Sequence, residues 1–97
     1  QRLVRDLGPH KAMILRNHGL LTAGASVRDA FEEMYYLELA CQIQLDATSG
    51  GARTVLPPPE VCERAARQFA DSNSFIRDRD WHALRRMLDE QQPNYRQ

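Results

Sequence analysis

Ninety-seven residues allow one domain at most, and 42% hydrophobic with 27% charged residues is the composition of an ordinary water-soluble globular chain. Thirteen Lys and Arg against 13 Asp and Glu leave a formal net charge of +0, which argues against a protein held to nucleic acid mainly by neutralising phosphates. The longest apolar-looking stretch, 27–45, carries Arg28, Asp29, Glu32, Glu33, Glu38 and Asp46 in or beside it, so no membrane span and no signal peptide are expected.

The chain starts at Gln1 in mid-pattern, with Leu3, Val4 and Leu7 and no cap, as a piece of a longer or processed protein would. Residues 2–7 read as the last turns of a helix, closed by Gly8 as a left-handed cap and Pro9 as a stop. Ala12 to Leu15 is a short buried strand by length and composition. Asn17-His18-Gly19 is a turn signal, and Leu20 to Ala23 reads as a second buried strand closed by Gly24, in a tight hairpin or a kinked strand. His18 therefore sits at a bend between two apolar segments.

Ser26 with Asp29 three residues later forms a capping-box pattern for a long helix. Val27, Ala30, Phe31, Met34, Leu37, Cys41 and Leu45 recur at three- and four-residue steps as one apolar face, and Thr48-Ser49-Gly50-Gly51 ends the element. Glu38 lies at the margin of that face, as a half-buried carboxylate paired with an Arg or, alternatively, a catalytic one. Pro57-Pro58-Pro59 stiffens a connector. A second helix follows from Pro59 to Ala70, with Val61, Cys62, Ala65, Ala66 and Phe69 inward, ended by Asp71-Ser72-Asn73. Asp80 caps a third helix, Trp81 to Glu90, and Pro93 leaves Asn94 to Gln97 as a tail. The organisation is a single segment, about 1–56 carrying the strands and long helix and about 57–97 carrying two helices and the tail.

Few residues offer chemistry. Cys41 and Cys62 form no CxxC pair and read as reduced, buried thiols, with a disulfide or reactive cysteine as the alternative; reduced thiols favour the cytoplasm. His82 falls on an exposed helix face and His10 in a solvent-facing loop. His18 differs because strand residues pin it, yet a lone histidine is either a structural group or a ligand. No HxxxH or HxH pair occurs, so this stretch cannot complete a zinc site. There is no GxGxxG, P-loop or GxSxG, and Gly50-Gly51 is too short to cradle phosphate.

The run Ala12 to Gly24, AMILRNHGLLTAG, resembles the signature of the class II aldolase/adducin family. The helix after it (Ser26 to Phe31, Tyr36-Leu37-Glu38, Ala40-Cys41-Gln42) extends the resemblance. The ending Asp80 to Leu88 with Pro93-Asn94-Tyr95-Arg96 is similar to the tail of the family's bacterial, adducin-like branch. The resemblance implies an α/β fold, the C-terminal part of a three-layer α/β/α sandwich around a mainly antiparallel sheet, in a homotetramer. It implies a divalent metal, typically zinc, held by three histidines, the last of which maps onto His18. The other two ligands, an acid/base Glu and the phosphate-gripping residues belong to sequence that is absent here, so no catalytic residue is assigned. A C-terminal Tyr reaches a neighbouring site in some members; Tyr95 lies in that region, but no motif ties it to the role.

Two functions are compatible with that resemblance. One is a zinc-dependent aldehyde-lyase or epimerase of carbohydrate metabolism, acting in the cytoplasm on a small hydroxylated carbonyl compound or sugar phosphate. The alternative is an adducin-like, non-catalytic scaffold domain associated with the cytoskeleton.

Overall fold

A computed structural model describes the backbone of residues 2–70 and 74–96 and the side chains of 2–70 and 78–96. The chain divides into two compact units, Gln1–Thr54 and Val55–Gln97.

The first unit opens with helix α1, Arg2–Leu7. It stops where Gly8 takes φ +56° and donates its N–H to the Val4 carbonyl at 3.1 Å, a left-handed cap as the sequence suggests. Strand β1, Ala12–Leu15, pairs antiparallel with β2, Gly19–Thr22, in the register Ala12↔Thr22 to Leu15↔Gly19. The second strand therefore begins one residue earlier than its apolar run, at Gly19, and Ala23 leaves it. Ala23 still donates its N–H to the Lys11 carbonyl at 2.7 Å, which extends the pairing by one rung.

Helix α2, Val27–Ser49, is capped by Ser26, whose hydroxyl oxygen accepts the Asp29 N–H at 3.1 Å. It ends as the Gly51 N–H bonds the Thr48 carbonyl at 3.1 Å. The helix packs on the hairpin, mainly on β2. Two expectations change here. The strands are half-buried, not buried: Ile14 is 69% exposed. The apolar face of α2 is half-covered only at Ala30, Met34, Leu37 and Cys41, while Val27, Phe31 and Leu45 are exposed. Length explains this. Twenty-three helical residues span about 35 Å and four-residue strands about 13 Å, so the hairpin covers less than half of the helix.

In the second unit, helix α3 is Pro59–Ala70, with proline at its first position, where a missing N–H costs nothing. The residues expected to point inward, Val61, Cys62, Ala65, Ala66 and Phe69, are all exposed. The segment expected to end α3, Asp71-Ser72-Asn73, lies outside the described residues. Helix α4 is Ser74–Gln91, so it starts well before Asp80. Asp80 is no cap: its carboxylate pairs with the adjacent Arg79 at 3.1 Å on an exposed surface, mid-helix. Trp81 and Leu88 are half-buried. Beyond Pro93 the chain is not a loose tail but a single 3-10 turn, η1, Pro93–Arg96.

Both cysteines are free; Cys41 is half-buried and Cys62 exposed, so neither is the buried thiol expected. No residue is fully buried among those described, and no described helix is long and apolar enough to cross a membrane.

Candidate functional site

Three residues, Arg16, Asn17 and His18, connect β1 to β2. The His18 N–H donates to the Leu15 carbonyl at 3.1 Å and closes the turn. Asn17 takes φ +58°, a left-handed conformation that asparagine tolerates better than most side chains. Gly19 follows at φ +134°, a region open in practice to glycine alone. The reversal thus has two residues whose side chains suit its backbone, and His18 stands between them. Its imidazole is exposed and makes no hydrogen bond or ion pair with the described residues.

The base of the hairpin is tied to α2. The Thr22 hydroxyl donates to the Ala30 carbonyl at 2.8 Å in the first turn of the helix. Lys11, just before β1, pairs with Glu33 at 3.6 Å. At Gly24 a Cβ would lie 2.6 Å from the Ala30 nitrogen and 2.8 Å from the Asp29 Cβ, so the chain passes against the helix where only glycine fits. These three ties were not singled out from the sequence. Gly24 carried the nearest thing to a signal, as a glycine directly after an apolar strand and before a cap.

The remaining candidates lie apart from this turn. His10 is exposed after α1 and His82 on α4. Glu38 is exposed and has no arginine partner among the described residues, which replaces the half-buried ion pair expected for it. Among the described residues no group of three His, Cys, Asp or Glu could hold a metal ion. The donor chemistry of His18 does fit one position of such a site. It offers an accessible imidazole with a free lone pair on a fixed turn. Further ligands would have to come from outside this chain.

A second polar cluster closes the C-terminal unit. The Tyr95 hydroxyl donates to Asp89 Oδ1 at 2.7 Å and accepts from Arg96 Nε at 3.0 Å. Arg96 also pairs with Asp89 at 2.7 Å. The hydrogen bond that Arg96 donates to the Tyr95 hydroxyl, then the charge of Asp89, raise the Arg96 pKa above its ordinary value. Tyr95 is thereby committed to a contact within its own unit.

The family profile described as Class II Aldolase and Adducin N-terminal domain matches residues 1–45, the stretch that holds the hairpin and most of α2. A Pseudomonas aeruginosa protein named for aldolase class 2 is 41% identical over 100 residues, covering 99% of this chain and 39% of the relative. Human beta-adducin is 35% identical over 103 residues, covering 90% of this chain and 14% of that protein. The crystal structure of an aldolase II superfamily protein from Pseudomonas syringae superposes with a TM-score of 0.82 at 45% identity, over 99% of this chain and 39% of that one. The chain spans about two fifths of the bacterial proteins it matches. With an α/β arrangement shared with a solved aldolase II protein along nearly its whole length, the chain belongs to the class II aldolase/adducin family.

Proposed function

We propose that this chain is part of a metal-dependent lyase or epimerase acting on a small hydroxylated carbonyl compound, such as a sugar phosphate, and that His18 is one of its metal ligands. The observation that carries the proposal is the His18 side chain: exposed, unengaged by the described residues, and held at the one tight reversal of the hairpin.

Retro-aldol cleavage breaks a carbon–carbon bond and leaves the electron pair on an enediolate. A divalent ion such as zinc, held in part by His18, would supply Lewis-acid stabilisation of that charge. What this chain contributes is position. Neutral imidazole is a good zinc donor, and a turn fixed at Asn17 and Gly19 limits how far it can stray. An epimerase would use the same cleavage and return the fragment to the opposite face. A homotetramer in the cytoplasm is the proposed setting, and the acid/base group is proposed to lie in the sequence before Gln1.

A second reading has its own support in the similarity to human beta-adducin. On that reading the fold serves as a binding scaffold and the chemistry is gone. The two separate on the sequence preceding Gln1, where a His-x-His pair and a Glu favour the enzyme and their replacement favours the scaffold. For the full-length protein, metal analysis is expected to give close to one zinc-like ion per subunit, and His18→Ala to remove it. An ion that stays bound in the variant overturns the ligand assignment.

A further inference from the structure

The three ties between hairpin and helix lie at one end of the hairpin, and His18 lies at the other. Thr22 and Lys11 stand at the open base, beside the Ala12↔Thr22 pair, and Gly24 follows directly. The turn stands beyond Leu15↔Gly19, three pairs away. At about 3.3 Å per residue the lever from Thr22 to the turn is about 10–12 Å. A tilt of about 5° at the base would then move the imidazole by about 1 Å, twice the tolerance of about 0.5 Å that a preorganised site allows.

Among the described residues little else resists such a tilt. The sheet they form has two strands, and α2 packs mainly on β2. Lys11–Glu33 is a long, partly exposed pair, with Lys11 67% exposed, and is too loose to set an angle. Thr22–Ala30 is short at 2.8 Å and part-buried, and it joins a β-branched side chain with few rotamers to a carbonyl inside a helix. Gly24 sets the approach distance, because any side chain there would push the first turn of α2 away.

We propose that Thr22 and Gly24 are positioning residues for His18, fixing the hairpin angle on α2 and through it the place of the imidazole. This rests on the reading of His18 as a ligand. The test is zinc affinity of the full-length protein, measured by competition with a chromophoric chelator, together with amide exchange of residues 17–19 in the metal-free protein. Thr22→Val keeps the shape and removes the donor. It is expected to weaken zinc binding by about 10- to 100-fold, the range seen when a group behind a ligand is lost, and to speed exchange at the turn. Thr22→Ser, which keeps the hydroxyl, is expected to restore both. Gly24→Ala is the independent variant, expected to weaken zinc by crowding rather than by a lost bond. Either variant that folds, by circular dichroism, and binds zinc like the wild type while His18→Ala has lost it overturns the positioning role alone. Zinc retained by His18→Ala overturns the reading beneath it and the positioning role together.

Discussion

Asn17 and His18 are neighbours with separate tasks, and substitutions should separate them. Asn17 holds φ +58°, and left-handed backbone costs most L-residues about 1–2 kcal/mol. Asn17→Ala should therefore lower stability by about 1 kcal/mol in urea unfolding of the full-length protein, while Asn17→Gly stays near the wild type. Equal loss in both variants would show that the asparagine side chain, not the backbone angle, holds the turn. The His18 side chain has no hydrogen-bond or ion-pair partner among the described residues, so its removal takes no such tie from the fold. The turn was legible in the sequence because Asn and Gly announce left-handed backbone chemically. The rest of a metal site was not, since among the described residues no three of His, Cys, Asp and Glu come together as a group that could hold an ion.

Elements whose ends carry their own chemistry were legible, and those defined by packing were not. Ser26 with Asp29 located the start of α2, and the hydroxyl does accept the Asp29 N–H. Pro59 likewise marked the start of α3. Asp80 misled because an acidic residue before tryptophan looks like a cap, whereas its carboxylate is taken by Arg79 inside a longer helix. The inward faces of α2 and α3 misled differently. Periodicity reports which side of a helix is apolar, not whether anything of sufficient length lies against it. The C-terminal turn was missed because its cause is a contact six residues apart, Tyr95 to Asp89, with Arg96 bridging both. Arg96 has a raised folded-state pKa, so its share of this clasp is intact at every working pH and is lost only above the ordinary arginine range. Asp89→Asn should loosen the clasp without unfolding α4. Exposed pairs of this kind hold only weakly against solvent, so the Tyr95 amide, bonded to the Gln92 carbonyl, should exchange about two- to fivefold faster. An unchanged rate would mean that Pro93 and the backbone alone set the turn.

At the scale of the whole chain, the decisive quantity is area left in water. Two separate compact bodies of this total mass would expose about 6,900 Å² between them, whereas the chain exposes 8648 Å² with no fully buried side chain among the described residues. The excess is apolar in good part: Val27, Ile43, Leu45, Val55 and Leu56 are each more than half exposed. At about 25 cal/mol per Å², covering even a few hundred Å² of such surface supplies several kcal/mol, comparable to the whole stability of a small domain. The hairpin adds to this, because each of its strands has an outer edge with no strand beside it among the described residues. Expressed alone, these 97 residues are therefore expected to lack a cooperative thermal transition, to bind a hydrophobic dye, to self-associate in sedimentation, and to hold zinc poorly. Within the full-length protein the same segment should unfold with the rest as one cooperative unit. A monomeric, sharply melting isolated segment would overturn this, and would mean that the exposed faces of α2 and α3 need no cover to keep the hairpin folded.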